Sequence, residues 1–233
     1  MRRIGFSSGA IAFEDFHCAL RILRESSIQC VELSALRLPE LAPLLESLPM
    51  LDLSDFEYVS LHAPSAFSAQ EEPEVARSLY DAVPIEWPIV LHPDAIHDSA
   101  HWRRFGERLA IENMDRRKPV GRTALELQKI FERLPGARLC FDIGHARQCD
   151  PSMTESFLIL SRLSQRLVEV HISEVNSASQ HDPISYGAGL AFRQIGRFIP
   201  DSVPVIIESR VSLSEIRSEV LRAAEALQSR LVA

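Results

Sequence analysis

The sequence predicts a (β/α)8 TIM barrel, an α/β fold forming a single compact domain over residues 1–233. Three observations carry that expectation. Short apolar segments recur along the chain, they alternate with helical patterns, and most of them end in an acidic residue or a histidine. Brief apolar runs bounded by polar residues read as buried parallel strands. Strands alternating with amphipathic helices favour a parallel sheet. An ionisable residue at the same end of successive strands is the pattern of a barrel whose active site sits at its C-terminal mouth.

The elements follow in order. Ile4-Gly5-Phe6 opens the series without an ionisable end. Phe13 to Ser26 places Phe16, Leu20 and Leu23 on one helical face, and Cys30-Val31-Glu32 is the next strand. Pro39 to Leu48 is a short helix begun by proline, and it leads into Val59-Ser60-Leu61-His62. Pro73 to Val83 precedes Ile89-Val90-Leu91-His92. Ser99 to Phe105 holds only a short helix before Leu109-Ala110-Ile111-Glu112. Arg122 to Leu134 is amphipathic, Gly136 stops it, and Leu139-Cys140-Phe141-Asp142 follows. Pro151 to Gln165 buries Leu158 and Leu163 by pattern and leads to Val168-Glu169-Val170-His171. Ser173 to Gly189 is the longest stretch without periodicity, and long ordered loops often carry function. Ala191 to Phe198 is a short helix, Val205-Ile206-Ile207-Glu208 is the last strand, and Leu213 to Leu231 is the longest helix.

Composition narrows the function classes. A chain that is 46% hydrophobic can fill a barrel core. The net charge of −7 weighs against a nucleic-acid partner, although Arg103-Arg104 and Arg116-Arg117-Lys118 form local basic clusters. Lys118 and Lys129 are the only lysines and neither ends a strand, which disfavours Schiff-base chemistry. Cys18, Cys30, Cys140 and Cys149 form no C-x-x-C pair and read as reduced thiols. No run is long enough to span a bilayer, and no secretion signal is visible, so a cytoplasmic location is expected.

The strongest local motif is Asp142-Ile143-Gly144-His145. Aspartate ends a strand, glycine permits a tight turn, and the imidazole returns over the same mouth. Asp142 could instead cap the following helix. Glu112, His171 and Glu208 at other strand ends favour metal binding. Carboxylates converging on one cavity repel each other and lose hydration, and a divalent cation relieves both penalties. Carboxylate and imidazole donors suit Mn²⁺, Zn²⁺, Co²⁺ or Fe²⁺.

Leu109-Ala110-Ile111-Glu112-Asn113, Cys140-Phe141-Asp142-Ile143-Gly144-His145-Ala146 and Leu91-His92-Pro93 resemble the motifs of the xylose isomerase-like barrel superfamily. Sugar isomerases, ketose epimerases and endonuclease IV belong to it. The resemblance implies that Glu112, Asp142, His171 and Glu208 hold a divalent metal (Mn, Zn, Co, Fe or Mg), with no organic cofactor. It implies that Glu112 and Glu208 also serve as an acid/base pair. His145 would lie beside the metal as a substrate contact or a further ligand, and His62 and His92 would extend the site to a second ion. Glu32 resembles a carboxylate that supports the ligands. The loop after the seventh strand departs from the nuclease pattern, because His181-Asp182 stand adjacent before Gly187-Ala188-Gly189. Their part in the site stays open.

The leading expectation is a metal-dependent isomerase or epimerase of a small sugar or polyol derivative, working by proton transfer beside a metal-bound carbonyl. The alternatives are an endonuclease IV-like phosphodiesterase, favoured by the histidines, and a non-catalytic metal- or ligand-binding barrel. Arg210, two residues beyond Glu208, suits a carboxylate or phosphate on the substrate. A sugar-like small molecule is the expected partner, nucleic acid and membrane are not, and pairing into a homodimer stays open.

Overall fold

A computed structural model describes residues 2–228. Its frame is a closed barrel of parallel strands, numbered here β1 to β8 in chain order. They are Ile4–Ser7, Cys30–Ser34, Tyr58–His62, Ile89–Leu91, Leu109–Glu112, Arg138–Asp142, Leu167–Ile172 and Val205–Ile207. β1 closes the ring by pairing with both β2 and β8. The apolar runs form strands because the side chains on their outer faces pack under the surrounding helices, in one continuous core from Phe6 to Leu227.

The alternation along a strand explains where the chemistry lies. Five of the ligand candidates share the inner face with the residue two before them: Ser60 and His62, Val90 and His92, Ala110 and Glu112, Cys140 and Asp142, Glu169 and His171. Val90, Ala110 and Cys140 pack into a small apolar cluster separate from the outer core. The register then sets Asp142 directly opposite His171.

The helices Phe16–Glu25, Leu38–Ser47, Glu72–Ala82 and Ala124–Arg133 lie close to the expected spans. Three expectations need correction. The helix expected over Ala191 to Phe198 runs Tyr186–Gly196, because the Ser185 hydroxyl accepts from the amide of Ala188 and starts it earlier. Gly187 and Gly189 mask the apolar period there. The stretch Pro151 to Gln165 is helical only over Thr154–Leu163. The last helix begins as a 3-10 turn, Leu213–Glu215, and continues as Ile216–Ala226. Its expected end at Leu231 lies outside the described residues.

The segment after β4 has no full helix, only 3-10 turns at Pro93–Ala95, Ser99–His101 and Arg103–Arg108. Glu72 anchors it. This buried carboxylate accepts from the amides of His97 and Asp98 and from Trp102 Nε1, each at 2.8 Å. Trp102 is fully buried beneath the loop. Glu72→Ala strands the buried Trp102 donor and two part-buried amides, and we expect it to lower unfolding free energy by about 2–3 kcal/mol in urea titration. A loss below about 1 kcal/mol would contradict that role.

Candidate metal centre at the barrel mouth

The local sequence aims each side chain at the mouth for an identifiable reason. Glu112 ends β5 and is almost completely buried. Its Oε2 lies 3.2 Å from His62 Nε2 and 3.1 Å from His92 Nε2. Its Oε1 lies 3.2 Å from His145 Nδ1 and 3.5 Å from His171 Nδ1. One carboxylate therefore faces two groups of histidines, one through each oxygen.

Asp142 does two things at once. Its Oδ1 accepts from the amide of His145 at 2.6 Å and caps the helix Ile143–Cys149. Its Oδ2 is buried and has no hydrogen-bond partner. The expected tight turn at Gly144 is instead the first turn of that helix. Glycine is required by close approach, since a Cβ would lie 2.5 Å from the carbonyl oxygen of Ser173. Asn113 ties β5 to β6, donating to the carbonyl of Asp142 and accepting from its amide, both at 2.8 Å.

Four ligand atoms, from Glu112, Asp142, His171 and Glu208, lie within 4.8 Å of one another. Three further sets meet the same limit: His62, His92 and Glu112, then Asp142, His145 and His181, and, beneath the mouth, Cys140, Glu169 and His171. All seven residues expected at the site are thus brought together. His181 joins them because the stretch after β7 is not formless. Glu174–Val175 pairs antiparallel with His181–Asp182, and this ribbon swings the imidazole back to 3.3 Å from Glu208 Oε2. Asp182 points elsewhere and accepts from Asn176 Nδ2 at 2.9 Å. Arg147 pairs with Glu174 at 3.1 Å. Glu169, beneath His171, was not singled out from the sequence; its only signal is its place two residues before His171 on the same face.

The donor set fits a divalent cation. Asp142 Oδ2, His171 Nδ1, Glu208 Oε2 and His92 Nδ1 are buried without hydrogen-bond partners. Buried polar atoms left unpaired are rare unless a ligand completes them. The tautomer of His62 agrees. His62 Nδ1 donates to the carbonyl of Ala63 at 2.7 Å, and His145 Nδ1 donates to that of Asn113 at 3.0 Å. For His62 this leaves Nε2, 3.2 Å from Glu112 Oε2, with its lone pair toward the site, whereas His145 turns the same Nδ1 toward Glu112 and Asp142.

The charges in the metal-free protein are strongly displaced. Burial alone would raise the Glu112 carboxyl, but His92, His145, His171 and His62 crowd it and hold it well below the usual range. Burial would lower the histidines, yet Glu32 and Glu112 push His62 up to about 9. Asp142 and Glu112 likewise push His145 up to about 10. His181, buried beside the cationic His145, falls to about 4. Burial drives the Glu208 carboxyl well above its usual range.

A cavity of about 310 Å³ opens over these residues. Its upper wall includes Ser7, Phe13, Lys118 and Arg210. The Arg210 guanidinium stands 5.7 Å from the Phe13 ring centre. Cys149 stays apart, its thiol directed at the carbonyl of Met114 and raised by burial to about 11.

A model of the xylose isomerase-like TIM barrel family matches residues 98–228. The chain belongs to the xylose isomerase-like TIM barrel family. The superfamily includes isomerases, epimerases and endonuclease IV. No curated protein matches the sequence. Among solved structures, endonuclease IV from Thermus thermophilus superposes with a TM-score of 0.60 at 17% identity, covering 97% of this chain and 98% of that one. The 3-keto-D-glucoside 4-epimerase YcjR from E. coli gives 0.60 at 13% identity, covering 97% and 99%. A xylose isomerase-like TIM barrel protein from Mycobacterium smegmatis, solved in complex with magnesium, gives 0.63 at 13% identity, covering 98% of each chain. At these identities the likeness speaks for the fold. Among the described residues no helix is long and apolar enough to cross a membrane.

Proposed function

We propose that this barrel is a divalent-metal-dependent hydrolase of small phosphate esters, with up to three ions at its mouth. The observation that carries the reading is the overlap of three ligand sets through Glu112 and Asp142. A single-ion isomerase needs only the set built on Glu112, Asp142, His171 and Glu208. His145 has a place in that chemistry as a substrate contact, but His62, His92 and His181 are surplus to its single ion. Mixed imidazole and carboxylate donors favour zinc, manganese, cobalt or iron over magnesium, which prefers oxygen. Divalent ions there would supply Lewis-acid stabilisation of phosphoryl charge and a lowered pKa for water.

The chain's own residues supply the rest. Glu112 and Asp142 hold the ligand sets in register across β5, β6 and β7. Lys118 and Arg210 at the rim offer donors to phosphate oxygens, although Lys118 also pairs with Asp94 at 2.8 Å. Phe13 adds an apolar face to the same cavity. The cavity volume suits a small sugar-like ester, and the net charge of −7 opposes a nucleic-acid duplex.

The test is the metal content of the purified protein, with hydrolysis of bis(para-nitrophenyl) phosphate before and after chelation. Two or three ions per chain and activity lost on chelation support the reading. One ion and no hydrolysis would turn attention to the isomerase or epimerase reading. That reading keeps one observation in its favour: Glu112 and Glu208 share a set, and the Glu208 carboxyl is raised toward the range of a proton carrier.

Metal binding should also release protons. His62 and His145 titrate near 9 and 10 in the metal-free protein, so both are cationic at neutral pH. Ligation needs neutral imidazole, so each ion displaces protons, and affinity rises as pH climbs toward 9. We expect calorimetric titrations near neutral pH to show enthalpies that vary with the ionisation enthalpy of the buffer. Buffer-independent enthalpies would contradict the assignment.

A further inference from the structure

Beneath the three sets at the mouth lies a fourth, Cys140, Glu169 and His171, with a carboxylate deep in the barrel interior. Glu169 is fully buried on β7, directly opposite Cys140 of β6. Burying a carboxylate there is costly unless it is paired. Its Oε1 lies 2.8 Å from His171 Nε2, and its Oε2 accepts from the hydroxyl of Tyr58 on β3. Glu32 Oε2, from β2, stands 3.2 Å from the same nitrogen.

A carboxylate only accepts, so Nε2 carries the proton and the lone pair falls on Nδ1. Nδ1 is the atom that faces Glu112 Oε1 at 3.5 Å and Glu208 Oε1 at 3.4 Å, with no hydrogen-bond partner. His62 and His145 take their orientation from nearby main-chain carbonyls. His171 sits inside a strand whose carbonyls serve the ladder; that of Ile172, for example, accepts from the amide of Glu208. Its acceptor must therefore be a side chain, and Glu169, two residues before it on the same strand, supplies it.

We propose that Glu169 and Tyr58 are positioning residues for the mouth: Tyr58 holds Glu169, and Glu169 holds His171 with Nδ1 turned toward Glu112 and Glu208. The proposal rests on the reading of the mouth as a metal centre. It gives a role to a buried polar pair that lies beneath the mouth and touches no substrate.

The test uses metal-stripped, full-length protein titrated with zinc, together with long-range proton–nitrogen spectra of the imidazoles after loading. In the wild type, His171 should carry its proton on Nε2. Glu169→Ala should weaken zinc binding by roughly 10- to 100-fold. Glu169→Gln, whose amide oxygen still accepts from Nε2, should recover most of that loss and keep the tautomer. Tyr58→Phe should weaken binding by a smaller factor. A general structural role would not be rescued in this pattern, nor would it change a tautomer. If Glu169→Ala does not fold, the glutamine and Tyr58→Phe variants and the wild-type spectrum decide. A zinc-loaded wild type with the His171 proton on Nδ1, or variants that bind zinc as tightly as wild type, overturns the proposal alone. A wild type that binds neither zinc, manganese nor cobalt overturns the metal reading and this proposal together.

Discussion

Glu112→Gln is expected to reduce phosphate-ester hydrolysis on the order of a thousandfold and to lower the number of bound ions, while leaving the barrel folded. The reason is the double duty of this side chain. Its Oε2 stands between His62 and His92, and its Oε1 between His145 and His171. Glutamine preserves the shape but replaces one oxygen with an amino group that donates and cannot ligate. Whichever way the amide turns, one of the two histidine groups loses its carboxylate partner. The substitution also removes a negative charge from a place where several imidazoles lean on it, so their raised titrations fall. The checks are steady-state rates, elemental analysis and an unfolding curve on one preparation. A variant that keeps the full metal content and more than about a tenth of wild-type activity would remove Glu112 from the centre of the site.

Gly5→Ala should be the most damaging small change to the fold, costing at least about 3 kcal/mol or preventing soluble expression. A Cβ at this position would lie 1.9 Å from the carbonyl oxygen of Cys30 and 2.4 Å from its carbon. These are main-chain atoms of the neighbouring strand, so no rotamer change relieves the clash. Moving β1 away is equally hard, because it is held on its other side by β8 through Ile4–Val205, Gly5–Ile206 and Phe6–Ile207. A closed barrel has no free edge along which to slide. Gly187→Ala is the matching control. The nearest atom to its added Cβ is the Ser185 hydroxyl at 3.8 Å, and the residue lies in the helix Tyr186–Gly196. Alanine there should be neutral or stabilising by up to about 1 kcal/mol. Urea midpoints for the two variants that coincide would show that the strand contact is softer than described.

Sequence pattern was enough to read the barrel and the ring of ligand candidates. A parallel strand buried on both faces must be apolar along its length, so a charged residue at its end stands out. That logic picked out Glu112, Asp142, His171 and Glu208, and the neighbouring histidines His62, His92 and His145, each at or beside the end of a strand. It was weaker where glycines and caps interrupt the apolar period, as in the helix Tyr186–Gly196, and where a short helix follows a strand with no loop, as in Ile143–Cys149.

Other features are decided by where the strands close. Glu112 serves two groups of histidines only because β3, β4, β6 and β7 bring them to opposite sides of one carboxylate. His181 belongs to the site although its linear neighbours match no ligand spacing, because a short ribbon folds it back over the mouth. Glu169 and Tyr58 are 111 positions apart and meet only across the barrel interior. Such contacts depend on register between strands distant in the chain, which local periodicity does not encode. Inward or outward is written in the order of residues, but which inward groups touch is set by the curvature and closure of the sheet.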